Sequence, residues 1–517
     1  MQRRSVLGLF GSLIATGVVP AGAASSRVFR INVVADPAQM DPITLSEITA
    51  GRILKNMYEG FTDVQPDGSV KRMLAESWET FPDRQAFRFH LHQGVKFHSG
   101  RPFTAKDVKY TLEAILAPDS KAGLAAPYLD TIVGAADVKS GKTKTLAGVT
   151  VVDDATIDIT FTKLDVLFPI YPIYYMDSGT VAEQGPDWMS KVSAGTGPFV
   201  YKSWTRGVSV DLGANPAYWG GAPKIAGLSF LIVPNGDTAL SQYDVGELDF
   251  VDVYPETFRR VLANKRYASQ LIKVPRAQVS YLGMNQNLYT PFKDKRVRQA
   301  LSLVIDRPAM IKGLYGGAAF PANGFVTAGV PGYQAGLPPL KYDPALAKAL
   351  MKQAGYPNGK GLPQIDVTTT ATFKDEAAYF ADQFQRQLGM PTKPKIVERA
   401  THIKAMNAGQ VALFPWGWTA DYPDAMTFLG EMWYGSSPYN RSRWESADFD
   451  RIIDQARSTV NDEQRYALYH RAEDILLADW GGIPLPTTAV LGLRKPYVKN
   501  ATLTPFGFSS FQDVTLG

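Results

Sequence analysis

The chain has 517 residues, 45% of them hydrophobic, which excludes an intrinsically disordered protein and leaves room for two or three domains with substantial cores. A formal net charge of +5, with lysine and arginine scattered along the length, excludes the concentrated basic face that nucleic-acid binding requires. The absence of cysteine excludes a disulfide framework and thiol chemistry, so core packing must supply the stability.

The N-terminal stretch MQRRSVLGLFGSLIATGVVPAGAASS combines a short basic start, an apolar run from Val6 to Val19 and a small-residue site at Ala21-Gly22-Ala23. This pattern predicts a signal peptide over residues 1–23, because the run is short for a bilayer span and no stop-transfer pattern follows. Arg3-Arg4 with Leu7 resembles a twin-arginine export signal. Gln2 and Val6 depart from the serine and phenylalanine usual around that pair, so general secretion stays open. A lipoprotein would need a cysteine at its cleavage site. The expectation is a soluble periplasmic protein, not a lipoprotein, with no transmembrane helix after Ser26.

Further along, FRFHLHQGVKF alternates strictly, with Phe87, Phe89 and Leu91 on one strand face and Arg88, His90 and His92 on the other. A turn at Ser99-Gly100-Arg101-Pro102 follows. Thr104 with Asp107 then starts a helix whose apolar stripe is Val108, Leu112, Ile115 and Leu116. ATIDITF is a second half-buried strand, through Ile157, Ile159 and Phe161. Helices are predicted over residues 294–305, 345–354 and 375–388. Phe449, Ile452, Ile453 and Ala456 define another, and Leu468, Ala472, Ile475 and Leu476 a last one. Strands and helices intermingle throughout, which predicts an α/β (mixed α+β) fold.

Catalytic signatures do not emerge. Ser140 to Thr143 imitates the end of a phosphate loop, but Ala136 stands where its first glycine belongs. No serine has glycines two residues away on both sides, and none has lysine three residues on. His90 and His92 share a strand face, yet Arg88 beside them opposes a cation, so a solvated face is the better reading. His98, His402 and His470 are isolated. No metal site, no cofactor and no catalytic residue are expected.

WGWTADYPDAMTFL sets Asp421 and Asp424 among Trp416, Trp418 and Tyr422. Removing a carboxylate from water is costly unless donors or a cation compensate. Either these aspartates cap a turn around Tyr422-Pro423-Asp424, or one awaits a cationic ligand.

Eight segments, in order from about residue 30 to residue 495, carry a family resemblance: MDPI, MYEGF, FRFHLHQGVKFHSGRPFTAKDVKYTLE, GTGPFVYKSW, NPAYWGGAP, DKRVRQALSLVIDR, AGYPNGKG and GWTADYPD. They resemble the extracytoplasmic solute-binding proteins of ABC importers, specifically the dipeptide- and oligopeptide-binding family (solute-binding protein family 5). The resemblance implies a two-lobed periplasmic binding protein fold with an extra subdomain inserted in the N-terminal lobe. The first lobe would comprise residues 24–57, 190–274 and 483–517, with the inserted subdomain at 58–189 and the second lobe at 275–482. A monomer that hands a peptide to a membrane permease with separate ATPase subunits is expected.

In such relatives the aspartate of GW-x-x-D accepts the peptide ammonium; that position here is Asp421, with Trp418 covering the ligand. A carboxylate in a water-poor cleft attracts a cation more strongly than in bulk water. Asn440 falls where relatives place a polar residue near the peptide, and a loop-stabilising role is equally open. Ser46 and Glu47 follow MDPI in a segment that reaches the cleft, and Tyr281 lies in a strand that does so; surface or packing roles stay open for each. Arg399, Arg441 and Arg443 are candidates for a peptide carboxylate. Trp416 reads as core and Asp424 as structural. Relatives also bind opines, sugars and metal complexes, so the fold does not settle the solute. The competitor from another class is a secreted hydrolase.

Overall fold

The computed structural model describes residues 27–517 apart from 46, 124, 186 and 187. The expected signal peptide and Ser46 fall outside the described residues. Two mixed sheets organise the chain. The first runs in the order Leu271–Pro275, Thr487–Arg494, Phe250–Asp252, Val28–Val33, Gly227–Ile232, Ser209–Ala214 and Phe199–Thr205, with Ala319–Phe320 added on Thr487–Arg494. The second runs Thr392–Ile396, Ile365–Thr369, Leu413–Thr419, Gln278–Met284 and Ile483–Leu485.

Each sheet holds a parallel centre. Val28–Val33 runs parallel to Gly227–Ile232 and to Phe250–Asp252, and Ile365–Thr369 runs parallel to Thr392–Ile396 and to Leu413–Thr419. Parallel strands need crossovers and covered faces. Helices Lys295–Leu303, Pro344–Gln353 and Lys374–Leu388 cover one face of the second sheet through Val297, Ala347, Phe380 and Phe384. Helices Met426–Trp433, Ala447–Ser458 and Asp462–Ala478 pack on its other face.

The alternating segment forms the strand Ala86–Leu91 in a separate four-stranded antiparallel sheet, with Phe87, Phe89 and Leu91 buried. Arg88 pairs with Asp158 at 2.7 Å, and His90 shares a hydrogen bond with Glu79 at 2.9 Å. His92 rests on the Trp219 ring instead, so the two histidines have separate partners. Helix Ala105–Leu116 starts as its capping pattern predicts. The Thr104 N–H and hydroxyl donate to the Asp107 carboxylate, which also accepts from Ser178 and Arg101.

The chain passes from the first sheet to the second at Arg276-Ala277 and returns at Pro486. These passages lie side by side, because Ser280 pairs with Leu485 and the Arg276 N–H donates to the Thr488 carbonyl at 3.2 Å. Among the described residues, no helix is long and apolar enough to cross a membrane.

Candidate functional site

In open α/β sheets, ligand-contacting groups collect beyond the carboxyl ends of the parallel strands. In the second sheet those ends are Thr369, Ile396 and Thr419, and Asp421 follows Thr419 by two residues. The passages between sheets occupy the same end. Gln278 pairs with Thr419, and the Ala420 N–H donates to the Ala277 carbonyl at 2.8 Å. Asp421 therefore stands at the base of the space between the two sheets, one residue from the connecting chain.

Thr427, in the helix Met426–Trp433, fixes this corner. Its hydroxyl accepts from the Asp421 N–H at 3.2 Å and from Trp418 Nε1 at 3.3 Å. Trp418 is half-buried and meets the Tyr439 ring edge-on at 4.9 Å between centroids. The Asp421 carboxylate itself has no ion pair or hydrogen bond among the described residues. Asp421 is exposed, although the neighbouring protein partly desolvates its carboxylate. That desolvation, followed by the nearby Glu431 charge, pushes its pKa up to about 6.

An aromatic contact joins the inserted subdomain to the second lobe beside this corner. Tyr422 packs edge-on against Tyr171 and Tyr128, with centroids at 5.1 and 6.1 Å, and Tyr128 stacks on Tyr171 at 4.4 Å. Each side brings a carboxylate. The Tyr171 hydroxyl donates to Asp165 at 2.7 Å, and the Tyr422 hydroxyl donates to Glu431 at 3.2 Å. Desolvation raises both carboxyl pKa values, and the Asp165 charge adds to the rise at Glu431. Next to this contact opens a cavity of about 650 Å³, lined by Trp78, Phe87 and Leu167 of the subdomain and by Val330, Pro423 and Tyr466 of the second lobe.

The remaining candidates do not converge on Asp421. Tyr281 is buried in the core of the second lobe against Phe414 and Trp433. Asn440 is fully buried and donates from Nδ2 to the Trp444 carbonyl at 2.6 Å. The Glu47 carboxylate accepts from the Ala38 N–H at 2.7 Å, on the first-lobe side. Arg399, exposed, and Arg441, buried, flank the Trp416 ring at 5.2 and 5.4 Å. Arg441 is held by Asn407 Oδ1 at 3.0 Å, and Arg443 donates to the Asn407 carbonyl at 2.6 Å. Asp424 is fully buried and paired with Arg465 at 3.2 Å.

Sequence reasoning missed Asp165, Glu431 and Arg276. Arg276 had a usable signal: it adjoins the boundary expected at residue 275, and the connecting chain of a two-lobed protein borders its cleft.

Two sheet-centred lobes joined by adjacent passages, with an unpaired carboxylate at the base between them, define a protein of the periplasmic binding class, which closes around its ligand by hinge motion. Residues 69–440 match the family described as bacterial extracellular solute-binding proteins, family 5, and the chain belongs to that family of ABC-importer solute-binding proteins. It is 29% identical over 483 residues to heme-binding protein A of Haemophilus influenzae, covering 89% of this chain and 85% of that one. It is 26% identical over 528 residues to the glutathione-binding protein GsiB of Salmonella typhi, covering 99% and 98%. The fold matches the periplasmic murein tripeptide binding protein MppA in its unliganded open form with a TM-score of 0.84 at 24% identity, over 96% of this chain and 99% of that one.

Proposed function

We propose that this protein is the exported, periplasmic receptor of an ABC importer that captures di- or oligopeptides, or related amine-bearing solutes, between its lobes. It delivers them as a monomer to a membrane permease. The observation that carries this reading is the Asp421 carboxylate, exposed beside the connecting chain and unpaired among the described residues, with a pKa raised by partial desolvation. An α-ammonium, with a reference pKa near 8, is largely protonated at neutral pH and neutralises that charge. A charge-assisted hydrogen bond there contributes about 1.5 to 3 kcal/mol net.

Trp418 offers its half-buried ring beside the same corner. The names of GsiB and MppA, a glutathione-binding protein and a tripeptide-binding one, support a short peptide. Such a receptor performs no chemistry on its solute.

Mass spectrometry of the solute released from natively purified protein tests the reading. Recovery of a peptide or another primary amine is expected. A solute without an amine, such as a neutral sugar, overturns the peptide assignment. Turnover of a peptide or saccharide panel would favour a secreted hydrolase.

A further inference from the structure

Two guanidiniums lie on the first-lobe side of the connecting chain, near enough for the charge of Arg276 to act on Arg52. Arg52, from the helix Ile48–Leu54, pairs with the carboxylate of Asp252 and donates from Nε to the Gly507 carbonyl at 3.1 Å. Asp252 closes the strand Phe250–Asp252, so this pair lies at the carboxyl end of the parallel centre of the first sheet. Burial, and then the charge of nearby Arg276, press the Arg52 pKa down to about 10. Burial also lowers the pKa of Arg276.

Asp252 compensates one cation, not two. Among the described residues, the Arg276 side chain has neither an ion-pair partner nor a hydrogen-bond acceptor. Its backbone is secured without it, through the Thr488 carbonyl. A half-buried guanidinium beside a like charge is unfavourable unless an anion arrives to meet it. Arg276 adjoins Ala277 and Asp421 adjoins Ala420, and those two alanines share the 2.8 Å backbone hydrogen bond.

We propose that Arg276 receives a carboxylate of the solute while Asp421 receives its cation, so that the site selects zwitterions. The proposal rests on the role of Asp421 given above. An extended chain spans at most about 3.5 Å per residue, so a peptide of roughly two or three residues suits two anchors on adjacent backbone segments. Guanidinium geometry suits a carboxylate through two parallel N–H donors, and an amide in the same place forfeits the charge.

Isothermal titration with trialanine, trialanine amide and N-acetyltrialanine tests this, on the wild-type chain and on Arg276→Gln. For the wild type, the amide is expected to bind roughly 10- to 100-fold more weakly than the acid. Arg276→Gln should weaken the acid by a similar factor, leave the amide unchanged and match or exceed the wild-type melting temperature of the unliganded protein. Equal wild-type affinity for acid and amide overturns the role of Arg276, and needs no variant to be read. With that result, a weak N-acetyl peptide leaves Asp421 standing. The opposite pattern, a weak amide beside an unaffected N-acetyl peptide, sustains Arg276 and removes Asp421. Binding of none of the three overturns both.

Discussion

The Ala420 N–H donates to the Ala277 carbonyl at 2.8 Å, tying the end of the central strand of the second lobe to the chain that connects the lobes. Any hinge motion at Arg276-Ala277 therefore moves relative to a carboxylate only one residue away. On the role proposed for Asp421, a ligand held there would lie beside the segment that connects the lobes, which would couple its binding to their relative position.

Asp421→Asn keeps the side-chain volume and removes the charge. It is expected to weaken a free-amine peptide roughly 10- to 100-fold, by the worth of a charge-assisted hydrogen bond. An N-acetylated analogue should change by less than about threefold, since it has no ammonium to lose. Calorimetric titration of both peptides reads the difference, and equal losses would exclude an ammonium partner.

The same substitution should stabilise the unliganded protein at neutral pH. The folded pKa of Asp421, about 6, lies above the unfolded value of about 3.9, so the folded state binds the extra proton between those limits. Ionisation above pH 6 thus weakens the fold, and the penalty disappears as the pH falls through 6 toward 4. Asp421→Asn mimics the neutral form. Its melting temperature should exceed the wild type at pH 7.5, with the gap about halved at pH 5 and nearly closed at pH 4. Peptide affinity follows the opposite course in the wild type, falling below pH 6 as the carboxylate needed by the ammonium becomes protonated.

The sequence carried the fold class, the family and the start of helix Ala105–Leu116, because alternation, capping and family blocks are local patterns. It also marked Asp421 as a candidate through the aromatic and apolar setting of the segment. It did not single out Arg276, although that residue adjoins the lobe boundary expected at residue 275; its unpaired side chain shows only in the folded protein. Tyr281 shows a second limit: the resemblance brings its strand toward the cleft, but only the packing shows that its ring lies against Phe414 and Trp433. For Asn440 the sequence left a peptide contact and a loop-stabilising role equally open, and its buried hydrogen bond to the Trp444 carbonyl depends on how the loop folds. Asp165 and Glu431 lie far apart in the chain, and only the tyrosine contact brings them into one field.

Asp424 and Arg465 are both buried, with the guanidinium also reaching Asp462 at 2.8 Å. Arg465→Met leaves the Asp424 carboxylate uncompensated and is expected to cost about 3 to 5 kcal/mol in urea unfolding. Adding Asp424→Asn should recover part of that loss, since the stranded charge is then gone. No recovery in the double variant would mean that Arg465 acts through packing alone.

The contact between the inserted subdomain and the second lobe holds two opposing tendencies. The rings of Tyr128, Tyr171 and Tyr422 attract through buried area and edge-to-face geometry, while Asp165 and Glu431 arrive from opposite sides with like charge. Arg457 lowers both carboxyl pKa values and offsets part of the repulsion. Glu431→Gln removes one charge, spares an acceptor for the Tyr422 hydroxyl and relieves some of the rise at Asp421. It should tighten the contact, seen as slower amide hydrogen exchange at residues 165–171 near pH 7.5. At pH 5 the wild type is already partly protonated there, so the difference should shrink. Phe replacing Tyr422 would act in the other sense, because Glu431 then loses the hydroxyl that donates to it while its charge stays in place. Faster exchange in Glu431→Gln would show that the carboxylate serves the contact rather than opposing it.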